Sequence, residues 1–276
     1  MKKISYLLLI MITAVLVLAA CGGKDKGNEE GNENHNGSKN TSEDQLAIIK
    51  ENGELLVGTE GTYAPFTFHD ESGKLTGFDV EISEEIASRL GVKAKFMETQ
   101  WDAMFPGLDS KRFDMIANQV GIKPERQEKY DFSEPYISSS AVLVTHADNT
   151  EVKGFEDIKG LKSAQSLTSN YGKMAQSNGA EIVGVDGFIQ AIELLNSKRV
   201  DVTINDKLTV LDFQKQKPDA KIQVVAEAED AAQSGLMFRK GNETLVEAVN
   251  KALNEMIEDG TYDKISDKWF GENVLE

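Results

Sequence analysis

The chain has 276 residues, and its 46 acidic side chains against 30 Lys and Arg give a formal net charge of −16. Hydrophobic residues make up 40% and charged residues 28%, which is typical of a globular chain with one or two domains. The charge argues against nucleic acid as a partner, because a phosphate backbone is bound chiefly by clustered Lys and Arg. The single cysteine and three scattered histidines match no metal motif, so we expect neither a metal nor another cofactor.

The first twenty residues predict a signal peptide. A basic start at Lys2 and Lys3 precedes an almost wholly apolar run over 7–20. As a helix this run would span roughly 21 Å, short of the ~30 Å hydrocarbon core, which favours a signal peptide over a transmembrane helix. The run ends Leu-Ala-Ala-Cys21 and resembles the bacterial lipoprotein signal, in which cleavage precedes the cysteine and its sulfur carries a diacylglycerol. We therefore expect Cys21 to anchor the protein to the outer face of the cell membrane.

Residues 22–44 predict a flexible tether. They are small, polar or charged, with no large apolar side chain. Such a segment cannot bury enough surface to offset the entropy of ordering it. Together with Cys21, it would connect the lipid to the globular part that follows.

The first half of the globular part predicts strands alternating with helices. A Ser-x-x-Gln capping box at Ser42 would open a helix that ends at Gly53. Asp79 would cap a later helix, and Pro106 should make the next helix irregular or delay its start. The predicted strands cover 54–58, 92–97 and 115–120, and the predicted helices cover 79–90 and 101–111.

The alternation continues through the second half and predicts parallel α/β sheets. Two such units would lie on either side of the apolar segment 141–144. The strands are predicted at 160–166, 180–184, 200–204, 222–225 and 235–238, and the helices at 170–178, 188–197, 208–215 and 243–258.

Polar and aromatic side chains follow the predicted strands, where open α/β sheets bind their ligands. An Arg can bind a carboxylate through two hydrogen bonds, and backbone amides at the start of a helix can bind the same carboxylate. An Asp can bind an ammonium group. Each residue alone has an ordinary structural explanation, as a loop Arg, a helix cap or a core aromatic. Their joint placement favours a site for a zwitterionic amino acid. The residues at these strand ends are Glu60, Tyr63, Trp101, Gly121, Arg126, Thr168, Ser169 and Asp206.

Five motifs in this order resemble the polar amino-acid substrate-binding lipoproteins of ABC importers. They are GTEGTYAPF at 58–66, GFDV at 77–80, GIKPER at 121–126, YDFSEPY at 130–136 and DGTY at 259–262. The segments NQVG at 118–121 and AQSLTSNY at 164–171 look most like the cystine-binding branch. The likeness covers the chain from about residue 45 to the C-terminus.

This resemblance implies a type II periplasmic-binding-protein fold, in which two α/β lobes are joined by two hinge strands. Lobe 1 would comprise 45–141 and 236–276, and lobe 2 would comprise 145–232, with crossings near 141–144 and 229–235. The lobes would close around an amino acid and deliver it to a membrane permease with its ATPase. We expect an extracytoplasmic monomer that works close to the membrane surface.

The resemblance also assigns ligand contacts. Arg126 would clamp the α-carboxylate, helped by the Thr168 hydroxyl and the Ser169 amide. Asp206 would hold the α-ammonium, helped by the backbone near Gln119 and Gly121.

The remaining assigned contacts lie around the ligand side chain. Tyr63 and Trp101 would sandwich it, and Glu60 would face its far end. Asn118 completes the implied ligand set. Gly121 departs from the family pattern, which often has Ser or Thr there, so this chain lacks that hydroxyl contact to the ammonium.

Cystine is the ligand we expect. Its disulfide bridge would lie between the aromatic rings, and its second ammonium would meet Glu60. Glutamine or arginine could also fit. A dehydratase of the same fold acting on a cyclic carboxylic acid is an alternative, as is a solute sensor, but Glu60 and Asp206 already have ammonium-binding roles. We therefore expect a binding protein and not an enzyme.

Overall fold

A computed structural model describes residues 44–275 of the chain. The predictions for the signal peptide, Cys21, the tether up to residue 43 and the Ser42 capping box lie outside the described residues. Within residues 44–275, no helix has both the length and the apolar character to cross a membrane.

The described chain alternates short strands with helices. In chain order its strands are β1 (Glu54–Thr59), β2 (Thr62–Tyr63), β3 (Thr67–His69), β4 (Leu75–Thr76), β5 (Lys93–Glu98), β6 (Met115–Ile116), β7 (Tyr130–Phe132), β8 (Ile137–Ser139), β9 (Ala141–His146), β10 (Lys162–Gln165), β11 (Glu181–Gly184), β12 (Val202–Asp206), β13 (Ile222–Glu227), β14 (Ala232–Ser234) and β15 (Met237–Arg239). Its α-helices are α1 (Gln45–Asn52), α2 (Phe78–Arg89), α3 (Trp101–Asp109), α4 (Pro124–Gln127), α5 (Asn170–Ser177), α6 (Phe188–Asn196), α7 (Lys207–Gln216), α8 (Glu243–Glu258) and α9 (Thr261–Phe270).

Two five-stranded sheets form the cores of two lobes, in the orders β5-β1-β6-β15-β7 and β11-β10-β12-β9-β13. The strands β1, β5 and β6 of the first sheet run parallel, as do β10, β11 and β12 of the second. One strand in each sheet departs from the predicted parallel arrangement: β15 is antiparallel to β6 and β7, and β9 is antiparallel to β12 and β13. Both β9 and β15 directly follow a crossing between the lobes, so each enters its sheet from the opposite direction.

A two-stranded antiparallel ribbon of β8 and β14 joins the sheets. The chain leaves the first sheet through β8 and returns to it through β14. All six residues of β9 are buried in the second sheet. The first crossing therefore lies at Ile137–Ser139, a few residues before the predicted 141–144, because that apolar segment is a core strand.

The helices cover the sheets with their apolar faces. The bounds of α8 agree with the prediction, and its stripe at i, i+4, i+7, i+8 and i+11 is buried. Helix α9 was missing from the prediction, although Tyr262 lies fully inside and its hydroxyl donates to the Tyr136 carbonyl at 2.7 Å. This bond ties the C-terminal helix to the start of the ribbon.

The predicted Asp79 cap of α2 is wrong, and α1 has a cap within the described residues. Helix α1 is capped by Asp44, whose side chain accepts from the Leu46 amide at 3.1 Å. Helix α2 begins after Gly77, whose φ of 134° and proximity to the Phe66 carbonyl exclude a Cβ at this position. Asp79 therefore lies inside the first turn of α2, fully buried, and its carboxylate is free to bind other groups.

Strand β6 is shorter than predicted and helix α3 runs unbroken through Pro106. After Ile116 the chain leaves the sheet, and Gln119 adopts a left-handed conformation with φ 53°. Residues 117–121 therefore form a loop at the carboxyl end of the first sheet instead of a strand.

Candidate binding cleft between the lobes

A cavity lies between the lobes at the carboxyl ends of the parallel strands. Its volume is about 50 Å³, so little space remains between the lobes. Both lobes line it, and the polar and aromatic lining residues are Glu60, Tyr63, Trp101, Asn118, Gln119, Gln165, Ser166, Ser169, Asn170, Tyr171, Phe188, Thr203 and Asn205. The structure thus brings together six of the predicted contacts: Glu60, Tyr63, Trp101, Asn118, Gln119 and Ser169.

Asp102 clasps the two lobes together. Its carboxylate accepts from the backbone amides of Leu167 at 3.2 Å and Thr168 at 3.0 Å, and from the Thr168 hydroxyl at 2.7 Å. Thr168 is exposed and does not line the cavity. Its hydroxyl, predicted to bind a ligand carboxylate, is occupied by Asp102 in this conformation. No sequence pattern indicated Asp102, which has the position of an ordinary acidic residue in the first turn of α3.

Two further side-chain bonds cross the cleft. The Tyr63 hydroxyl donates to the Asn205 Oδ1 at 2.7 Å, directly at the cavity wall. At the surface, Lys173 pairs with Glu125 at 3.1 Å. The structure is therefore a closed conformation, held by polar contacts that must break when the lobes separate.

Arg126 lies behind the cavity wall. It is 6% exposed, its Nη1 donates to the Gly121 carbonyl at 2.9 Å, and its guanidinium lies 5.5 Å from the centroid of Trp101 and 5.4 Å from that of Phe105. Burial lowers its pKa, but the group stays charged. Its Nη2 is buried and has no hydrogen-bond partner among the described residues. A buried, charged donor without an acceptor is costly, so this position favours an incoming anion.

The start of α5 offers backbone donors beside the cavity. Ser169 caps this helix: its hydroxyl oxygen accepts from the Gly172 amide at 2.9 Å, and its own amide donates to Ser166 at 3.2 Å. The next two amides, of Asn170 and Tyr171, donate to no backbone carbonyl within residues 44–275. Both residues line the cavity, so the free helix-start donors lie one and two positions after the predicted Ser169.

Asp206 is a buried carboxylate beside the cavity. Its Oδ1 accepts from the Ser139 hydroxyl at 2.9 Å and from the Leu208 amide at 2.8 Å, so it caps α7. Its Oδ2 accepts from the Tyr171 hydroxyl at 3.2 Å. Burial raises the pKa of Asp206 to about 6. The cap is thus present, and the predicted ammonium contact stays a prediction.

Glu60 is half-buried at the outer end of the cavity. Its Oε2 accepts from the Asn118 side-chain amide at 2.6 Å, and its backbone amide donates to the Asn118 Oδ1 at 2.8 Å. Burial raises the pKa of the Glu60 carboxyl to about 7, and the nearby Asp102 adds to this shift. The residue also lines a neighbouring, more open cavity together with Glu98 and Asp186. A cation at this end of the cleft would restore the ionised state of Glu60.

No metal centre is apparent within residues 44–275, where no three His, Cys, Asp or Glu side chains form a group that could hold an ion. The two histidines in this range are engaged elsewhere. His69 contacts the Gly61 carbonyl and the Glu98 carboxylate, and the His146 ring accepts from the Asp148 amide.

Comparison with known proteins identifies the family. Residues 55–272 match the bacterial extracellular solute-binding proteins, family 3. The chain belongs to this family. It is 50% identical to the L-cystine-binding protein TcyA of Bacillus subtilis over 276 residues, which cover 99% of each chain. The family resemblance predicted from the motifs is therefore confirmed, and it supports a solute-binding protein of an ABC importer instead of an enzyme.

Two solved structures of relatives, one open and one bound to a ligand, can be compared with the conformation of this protein. The L-cystine solute receptor of Neisseria gonorrhoeae, in its unliganded open conformation, is 50% identical with a TM-score of 0.55, over 84% of this chain and 99% of its own. An ancestral arginine-binding protein bound to arginine is only 40% identical, yet has a TM-score of 0.75 over 79% of this chain and 98% of its own. The type II fold is thus confirmed. The better fit to the ligand-bound relative agrees with the closed cleft described above.

Proposed function

We propose that this protein is the cystine-binding lipoprotein of an ABC importer. The observation that carries the proposal is the buried Arg126 Nη2, a charged donor without an acceptor beside a closed cavity that aromatic side chains line, Tyr63 and Trp101 among them. An amino-acid carboxylate is the acceptor that this donor fits. The names of the similar proteins, TcyA among them, support cystine as the amino acid.

In the proposed complex, one half of cystine binds deep in the cleft. Its carboxylate meets Arg126 and the amides that open α5 after Ser169. Its ammonium lies near Asp206, with the backbone at Gln119 and Gly121. Thr168 contributes through the Asp102 clasp, which keeps the cleft closed around the ligand.

The other half of cystine extends towards the outer end of the cavity. The disulfide lies between Tyr63 and Trp101, where sulfur–aromatic contacts contribute about 0.3–1.5 kcal/mol each. The second ammonium meets Glu60, whose carboxylate Asn118 holds in place. Glutamate would set a carboxylate against this acid, which disfavours it.

Calorimetry with cystine, glutamine, arginine and glutamate tests the ligand and the role of Glu60. We expect cystine to bind most tightly, and Glu60→Gln to weaken cystine binding by about tenfold, because the second ammonium then faces a neutral amide. Glu98→Gln is the matched control, since Glu98 lines the outer cavity but pairs with His69. It should leave the cystine affinity within about twofold of wild type.

The alternatives give distinct results in the same experiment. If arginine binds more tightly than cystine, arginine is the ligand. Arginine is included because a relative of similar structure binds it. An unchanged cystine affinity in Glu60→Gln would remove Glu60 from the site. Conversion of any added compound to a product would contradict a binding protein.

The proposal includes the organisation of the whole chain. Residues 1–20 are a signal peptide and 21–44 are a lipidated cysteine with its tether. The lobes comprise 45–136 with 235–276, and 140–231, and the ribbon of β8 and β14 lies between them. The protein is a monomer on the extracytoplasmic face of the membrane. It delivers its ligand to a permease and the ATPase that drives it.

Cys21 is the proposed lipid anchor, because the single cysteine of the chain stands directly after Leu-Ala-Ala. Cys21→Ser should release the protein into the medium and move it from the detergent phase to the aqueous phase in Triton X-114 partitioning. Lys24→Ser, three residues along the tether, is the control and should stay with the membrane. Retention of Cys21→Ser in the detergent phase would disprove the anchor.

A further inference from the structure

We propose that Asp79 is a positioning residue for the ammonium end of the ligand, acting through Gln119. This inference rests on the proposed function and extends it by a residue that does not line the cavity. Asp79 lies in the first turn of α2, is fully buried, and does not cap the helix. Its carboxylate binds the loop of residues 117–121 instead.

Asp79 binds both hydrogen-bond donors of Gln119. The Gln119 backbone amide donates to Oδ2 at 3.0 Å, and its side-chain amide donates to Oδ1 at 2.8 Å. The Tyr136 hydroxyl adds a third donor to Oδ1 at 2.9 Å. Three donors on one buried carboxylate fix the position and orientation of Gln119 more firmly than packing alone can.

Gln119 needs this support because its backbone is strained. Its φ of 53° is a left-handed conformation, which costs a residue with a Cβ roughly 1–2 kcal/mol. The two other non-glycine residues with positive φ within residues 44–275, Lys111 and Lys198, come just after helix ends at the surface. Gln119 instead forms part of the cavity wall, where strain that is held by neighbouring groups is associated with function.

The carbonyl of Gln119 is the group that this arrangement makes available. Both nitrogens of Gln119 are bound to Asp79, whereas its carbonyl oxygen accepts no hydrogen bond within residues 44–275. The neighbouring Gly121 carbonyl is occupied by Arg126. Gln119, which lines the cavity, therefore supplies a free backbone acceptor for an ammonium, and Asp79 holds the backbone that presents it.

Asp114 offers a matched control with nearly the same chemistry. It is a second buried Asp of the first lobe, and it also accepts from one backbone amide and one side-chain amide. These are the Leu56 amide at 3.0 Å and the Gln45 side chain at 2.9 Å. Asp114 lies before β6, at the opposite end of the sheet from the cavity. A substitution there changes the fold's stability without touching the site.

The test measures cystine affinity by calorimetry, and the melting temperature, for wild type, Asp79→Asn and Asp114→Asn. We expect Asp79→Asn to weaken cystine binding by about tenfold or more, because its amide nitrogen cannot accept from Gln119. Asp114→Asn should change the affinity by less than about twofold, whatever its effect on melting. If Asp79→Asn does not fold, Tyr136→Phe replaces it, with an expected loss of about threefold from the missing donor.

A double-mutant cycle separates positioning from general stability. Glycine adopts positive φ freely, so Gln119→Gly removes the strain that Asp79 holds. In that background Asp79→Asn should cost less than about threefold in affinity. An equal loss in both backgrounds, or an unchanged affinity in Asp79→Asn, would overturn the inference while leaving the proposed function intact. Wild type that binds none of the amino acids would overturn both.

Discussion

Arg126→Lys is expected to remove detectable cystine binding while the protein stays folded. The guanidinium has two tasks that lysine cannot combine: Nη1 holds the Gly121 carbonyl, and Nη2 remains free for an anion. Its flat face also lies against Trp101 and Phe105, which fixes its direction. The ligand carboxylate would lose its paired donor in a desolvated cleft, which costs roughly 2–5 kcal/mol.

Arg239 supplies the control for this experiment. It is another largely buried Arg of the first lobe, and its Nη1 donates to the carbonyls of Leu108 at 3.1 Å and Phe113 at 2.7 Å. Arg239→Lys loses a comparable set of backbone contacts without touching the cavity. We expect Arg239→Lys to lower the melting temperature but keep the cystine affinity. Wild-type affinity in Arg126→Lys would exclude Arg126 as the carboxylate clamp.

Most helices and strands were predicted because the spacing of apolar residues and the glycines at element ends can be recognised within a short stretch of sequence. Helix α8 illustrates this, since its apolar stripe fixes both its face and its length. The antiparallel strands could not be predicted in this way. The sequence of β9 describes a buried strand equally well in either direction, and only the crossing between lobes decides which one forms.

Part of the cavity lining was predicted from the sequence, but the hydrogen bonds that connect its residues were not. Tyr63 and Trp101 were expected near the ligand because they follow predicted strands, and both line the cavity. The order of strands and helices is enough to locate the carboxyl edge of a sheet, where ligands bind. The role of Thr168 depends on Asp102, which lies 66 residues earlier and meets it only when the lobes close. Asp79 likewise reads as a helix cap until Gly77 is seen to take that place.

The second large effect is expected at Asp206, where charge and helix capping can be separated. Asp206→Asn keeps an oxygen for the Leu208 amide but cannot ionise. We expect cystine binding to fall by roughly 2–5 kcal/mol, because the ligand ammonium loses its counter-charge in a buried place. The melting temperature without ligand should change little, since ionised Asp206 is itself costly to bury.

Asp44→Asn is the matched control for this substitution. Asp44 caps α1 through a bond to the amide two residues on, as Asp206 caps α7. Both variants retain a capping oxygen, but only Asp206 lies beside the cavity. An affinity loss shared by the two variants would point to capping, whereas a loss in Asp206→Asn alone supports the ammonium contact.

The pH dependence of binding provides a second, independent test of Asp206. Its pKa without ligand is about 6, above the ordinary 3.8, so the folded protein holds this proton more tightly than the unfolded chain. Its contribution to the free energy of unfolding therefore decreases as the pH rises from about 4 to 6. Binding has the opposite dependence, because an ammonium favours the ionised carboxylate and expels the proton.

Cystine affinity should therefore fall as the pH is lowered through the pKa values of both acids. Glu60, with a pKa of about 7, contributes first, and Asp206 contributes below about 6. Each protonation weakens binding by up to about tenfold per pH unit. Glu60→Gln should lose the contribution of Glu60 near pH 7, where burial also places the pKa of Asp79, and Asp206→Asn should lose the step below about pH 6. Calorimetry between about pH 5 and pH 8 resolves the two steps. An affinity that stays constant over this range in wild type would contradict both ammonium contacts, because neither carboxylate would then change its charge on binding.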